Sequence, residues 1–100
     1  MVEQGDLKKF VRTVETEQLA GRRVGAIVHS QELETTAARL SGDLVSVLPQ
    51  RIEELASRLF ETLRSLDDKG PDVILVETVS REGLGAAVMD RLERAAGRGN

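Results

Sequence analysis

Apolar positions at helical spacing, short apolar runs between them, and Gly or Pro at the joints divide this chain into alternating helices and strands. Leu7, Phe10, Val11 and Val14 recur with a helical period, after Asp6 as a candidate N-cap and before Gly21 as a terminator. Val24-Gly25-Ala26-Ile27-Val28 shows no polar alternation, which predicts a strand covered on both faces. Ser30 can cap a short helix running through Leu40 and stopping at Ser41-Gly42, and Asp43 to Leu48 makes a weaker strand that ends at Pro49. Ile52, Leu55, Ala56, Leu59, Phe60, Leu63 and Leu66 fill one stripe of the next helix, while Glu53, Glu54, Arg58, Glu61 and Arg64 take its other side. Gly70-Pro71 stops it, because Gly can turn left-handed after the last turn and Pro cannot continue a helix. Val73 to Val76 is the clearest strand; a turn over Thr78–Glu82 leads to a last helix with Leu84, Val88, Leu92, Ala95 and Ala96 on its apolar side, and 97–100 form a frayed tail.

Strands alternating with helices imply βαβ units, and hence a mainly parallel sheet with right-handed crossovers and helices on both faces. The expected architecture is a single α/β domain over residues 1–100, a small Rossmann-like three-layer fold. Three strands are few for a sheet covered twice. A fourth is missing, shared with a partner, or supplied by Met1–Glu3.

Composition narrows the chemistry. Among 100 residues there is no Cys, which excludes disulfides, a thiolate nucleophile and any Cys-based zinc or iron–sulfur site. The 14 basic and 17 acidic side chains are scattered through both halves, and two Phe are the only aromatic residues. A nucleic-acid surface calls instead for a basic patch, often with aromatic side chains for stacking, so no direct nucleic-acid contact is expected. No apolar run approaches the ~20 residues that span a bilayer, and charges stand where a signal peptide would place its apolar core. The expectation is a cytoplasmic protein with no membrane partner.

In a parallel sheet, ligands bind outside the carboxyl ends of the strands. That rule puts His29-Ser30, Leu48-Pro49 and Glu77-Thr78-Val79-Ser80 on the rim. His29 is the only histidine, so a nucleophilic triad would take Ser30 or Ser80 as nucleophile and Glu77 as carboxylate; no nucleophile-elbow sequence supports one. Glu77 reads either as a general base or ribose-binding carboxylate, or as an acid that caps backbone groups. One histidine without Cys, and no acidic run with calcium-loop spacing, give no structural metal. Ser80 with the Gly83-Leu84-Gly85 turn is a candidate anion- or nucleotide-binding element, since helix N-termini hold phosphates. The turn lacks the third glycine of a dinucleotide fingerprint and the Lys of a P-loop, so close helix packing is the competing reading.

The run Ala56 to Asp67 (ASRLFETLRSLD), then Gly70, then Asp72 to Glu77 (DVILVE), then Gly83 to Leu92 (GLGAAVMDRL), resembles the C-terminal domain of the long, two-domain threonylcarbamoyl-AMP synthases. The likeness is close over the last half of the chain and looser around Arg23-Val24-Gly25. It departs at Asp90, where the family usually has Asn, and at Thr78, where Gly is common. The resemblance implies a part in making the threonylcarbamoyladenosine modification of tRNA. The family's catalytic groups, which use ATP and magnesium, lie in a separate N-terminal YrdC-like domain joined by a linker. No catalytic residue carries over to this chain, and no cofactor is expected in it. The implied role is an accessory or regulatory one, with the catalytic domain and its linker as partners, in an excised or free-standing copy of the domain. Two alternatives stand beside it: a nucleotide- or anion-binding module, and a homodimer paired through the open sheet edge.

Overall fold

The central strand carries the plan of the molecule. All five residues of β1, Val24–Val28, are buried, because the strand pairs on both sides and is covered on both faces. Val24, Ala26 and Val28 face one apolar cluster and Ile27 faces the other, as the two-residue period of a strand requires. In the computed structural model, which describes residues 1–37 and 44–98, the element order is α1 (Leu7–Leu19), β1, α2 (Gln31–Ala37), β2 (Val45–Val47), α3 (Ile52–Asp68), β3 (Val73–Val76) and α4 (Leu84–Arg98).

The strands run parallel in the order β2-β1-β3. Ala26 aligns with Val45 on one side and with Leu75 on the other. Phe10 and Val14 of α1 and Leu33 and Ala37 of α2 close one face of the sheet. Leu55, Leu59 and Leu66 of α3, with Val88, Met89 and Leu92 of α4, close the opposite face. The α/β three-layer fold expected from the sequence is the observed one.

The missing strand is partly supplied by the N-terminus. Val2 forms a parallel bridge to Glu77 at the open edge of β3. Its N–H donates to the Val76 carbonyl at 2.9 Å, and its carbonyl accepts from Thr78 N–H at 2.7 Å. The side chain is only 1% exposed, so this one residue both extends the sheet and fills the core.

Local chemistry accounts for the boundaries. Asp6 caps α1 by accepting from Lys9 N–H at 3.1 Å. Gly70 takes a φ of +74° at the end of α3, a conformation that favours glycine. Two boundaries and one burial differ from the sequence expectation. The second strand shrinks to Val45–Val47, because it is a sheet edge paired only with β1 and leaves Val47 48% exposed. Leu84, placed on the apolar side of the last helix, is 45% exposed, and Met89 takes the buried position on that face. The last helix runs through Arg98, past the Gly97 where fraying was expected. The expected end of the second helix at Leu40–Gly42, the start of the second strand at Asp43, and residues 99–100 lie outside the described residues.

Candidate functional site

Four polar residues are buried among those described, His29, Ser30, Glu77 and Thr78, and all four stand at the carboxyl ends of the neighbouring strands β1 and β3. Polar burial is costly unless satisfied, so the hydrogen bonds here define the site. Glu77 lies at its centre with a fully enclosed side chain. Its Oε1 accepts from the N–H groups of His29 at 2.8 Å and Ser30 at 3.0 Å, and its Oε2 from the N–H of Gly5 at 2.9 Å. The Ser30 hydroxyl also bonds this carboxylate. Burial on its own raises the pKa of Glu77; the donors of His29, Ser30 and Gly5 outweigh it, and the net value lies below the ordinary glutamate range. That is the reverse of the tuning a general base requires. Glu77 is a fixed anion that ties the N-terminal segment to the end of β1 and the start of α2.

His29 Nε2 lies 2.8 Å from the Thr78 carbonyl and 3.9 Å from Glu77 Oε1. A carbonyl only accepts, so Nε2 bears the proton. The Thr78 hydroxyl oxygen in turn accepts from Gln4 N–H at 3.1 Å. Ser30 caps α2, its Oγ accepting from Leu33 N–H at 3.3 Å. The three members of the imagined triad are thus neighbours, but the Ser30 hydroxyl serves Leu33 and Glu77, and the His29 N–H serves a backbone carbonyl. Ser80, the other candidate nucleophile, is exposed.

The Gly83–Gly85 turn is built for packing. Gly83 has a φ of +54°, and a Cβ at Gly85 would overlap the Ser80 carbonyl oxygen. The N–H of Gly85 donates to the Glu82 carbonyl and that of Ala86 to the Gly83 carbonyl, so these two amides close the turn itself. Leu84 is exposed.

An open cleft of about 480 Å³ lies over this end of the sheet. His29, Ser30 and Ser80 line it, as the rim argument expected; Gln4, Glu32, Gln50 and Glu82 also line it and were not singled out from the sequence. Two signals were available for them: Glu32 sits in the first turn after the Ser30 cap, and Gln50 follows the Pro49 that ends a strand. Glu77 lies beneath the cleft floor rather than in its lining. Among the described residues no group of three or more His, Asp or Glu side chains converges as a metal site needs, and no helix is long and apolar enough to cross a membrane.

The family profile described as "Threonylcarbamoyl-AMP synthase, C-terminal domain" matches residues 1–97. Threonylcarbamoyl-AMP synthase of Pyrococcus abyssi is 42% identical over 77 residues, which cover 77% of this chain and 20% of that protein. The Bacillus subtilis protein of the same name is 33% identical over 96 residues, covering 94% and 27%. The crystal structure of P. abyssi Sua5 complexed with L-threonine superposes with a TM-score of 0.74 at 36% identity, over 90% of this chain and 24% of that one. The chain spans about a fifth to a quarter of the length of these relatives. Its sequence and its fold agree on the assignment, and the chain belongs to the threonylcarbamoyl-AMP synthase C-terminal domain family.

Proposed function

We propose that this domain is an accessory, regulatory part of L-threonylcarbamoyladenylate synthesis for tRNA modification in the cytoplasm, acting on a separate catalytic domain and performing no catalysis alone. The observation that carries this reading is the match of residues 1–97 to the C-terminal domain of a two-domain family. The site geometry supports it, because the buried polar groups serve the domain's own backbone: Glu77 holds three N–H groups and Ser30 caps a helix. ATP and magnesium belong to the catalytic domain in this reading.

The test is adenylate formation, followed by pyrophosphate release, with the catalytic domain alone, with this chain added, and with the two joined by the family's linker. The expected result is no product from this chain alone and a changed turnover when the domains are joined. Equal turnover in all mixtures that contain the catalytic domain would overturn the regulatory role.

A further inference from the structure

The cleft at the carboxyl end of the sheet has a donor–acceptor character of its own. His29 is 6% exposed and lines it. In the tautomer that donates from Nε2 to Thr78, Nδ1 is an acceptor, and it has no partner among the described residues. Every fully enclosed side-chain nitrogen or oxygen among those residues is hydrogen-bonded. An unpartnered Nδ1 must therefore meet solvent, and the solvent space against this ring is the cleft. Glu32, Glu82, Gln50 and Ser80 line the same cleft, with no Lys or Arg in the lining. The guanidiniums nearest in sequence, those of Arg51 and Arg81, are paired with Glu54 and Glu93. Beneath the floor lies the Glu77 anion, whose carboxylate is enclosed.

We propose that this cleft binds a protonated amine or guanidinium group, with His29 Nδ1 and the Glu32 and Glu82 carboxylates as its acceptors. An ammonium brings three donors and a guanidinium five, and a fixed lone pair beside two carboxylates complements either. An anion would meet two like charges and an acceptor. The cation comes either from a free small molecule or from a Lys or Arg side chain of a docking segment. The proposal stands on the cleft alone and is independent of the accessory role.

The test is a titration of the whole chain followed by nuclear magnetic resonance at the His29 ring nitrogens and the Ser30 and Ser80 amides. The probes are n-butylammonium and methylguanidinium, blocked Gly-Lys-Gly and Gly-Arg-Gly peptides, tetramethylammonium, which is charged but donates nothing, and inorganic phosphate. Saturable shifts with the donor cations, at least tenfold weaker binding of tetramethylammonium, and none with phosphate are expected. Tighter binding of the peptides assigns a docking segment, and equal or weaker binding assigns a small ligand. Glu32 and Glu82 are exposed, so E32Q/E82Q should fold normally and bind about five- to tenfold more weakly. Saturation by phosphate in preference to amine, or no saturable shift with any donor cation, would overturn the proposal.

Discussion

Replacing Glu77 by Gln tests whether a buried carboxylate holds the top of this sheet together. The substitution keeps one oxygen acceptor, enough for the His29 and Ser30 N–H groups on the Oε1 side. The amide NH2 then faces the Gly5 N–H that Oε2 now accepts, donor against donor. The change removes one charge-assisted bond, worth about 1.5–3 kcal/mol, and leaves a donor unsatisfied; the combined cost is about 2–4 kcal/mol. Against a total of roughly 5–15 kcal/mol for a domain this size, the loss is large. Urea unfolding monitored by circular dichroism reads it: at an m-value of about 1–1.5 kcal/mol/M, the midpoint should fall by roughly 1.3–4 M with m unchanged. The pH dependence supplies a second reading. The folded pKa of Glu77 lies below its unfolded value, so the unfolded chain binds the proton first as pH falls. The stabilisation is complete above the unfolded glutamate pKa of about 4.3 and is lost as pH drops through the lower folded value. The gap between wild type and Glu77→Gln should therefore hold from pH 7 to about 5 and close below about 4. A variant within about 0.5 kcal/mol of wild type at pH 7, or a gap unchanged at pH 2.5, would refute the assignment.

Gly85→Ala places a Cβ on the Ser80 carbonyl oxygen and should cost about 1–3 kcal/mol, seen as a lower melting temperature; an unchanged melt would show that the turn yields freely. Leu59→Ala empties a site 2% exposed and should lose about 2–5 kcal/mol, whereas Leu19→Ala, at a side chain 90% exposed, should stay within about 0.5 kcal/mol in the same unfolding assay. Val2→Pro deletes the N–H bonded to the Val76 carbonyl; amide hydrogen exchange at Thr78, which donates to Val2, should accelerate while that of β1 does not.

The helical layers and the central strands were readable because their signal is local. The stripe from Ile52 to Leu66 and the unbroken apolar run of β1 each specify their own burial. The edges were harder, since the length of β2 depends on having a single neighbour, and the exposure of Leu84 depends on where α4 meets the sheet. The rim positions of His29, Ser30 and Ser80 followed from the parallel topology. That Glu77 caps backbone groups was one of its two readings, but which groups was not legible nearby: its backbone donors lie 47, 48 and 72 residues away. Gly5 in particular gave no hint, because its amide matters only once Val2 has docked beside β3.

The alternation along β1 has a consequence for how this domain can change. Ala26 and Ile27 are chain neighbours that belong to opposite apolar clusters, and the sheet stands between those clusters as a wall. A substitution at Phe10 or Leu33 on one side and another at Leu59 or Met89 on the other fall in different clusters and should be energetically additive. Each helical layer can accordingly drift in composition, and so reshape the surface it offers, while the other keeps its packing; only the strands that form the wall must satisfy both at once.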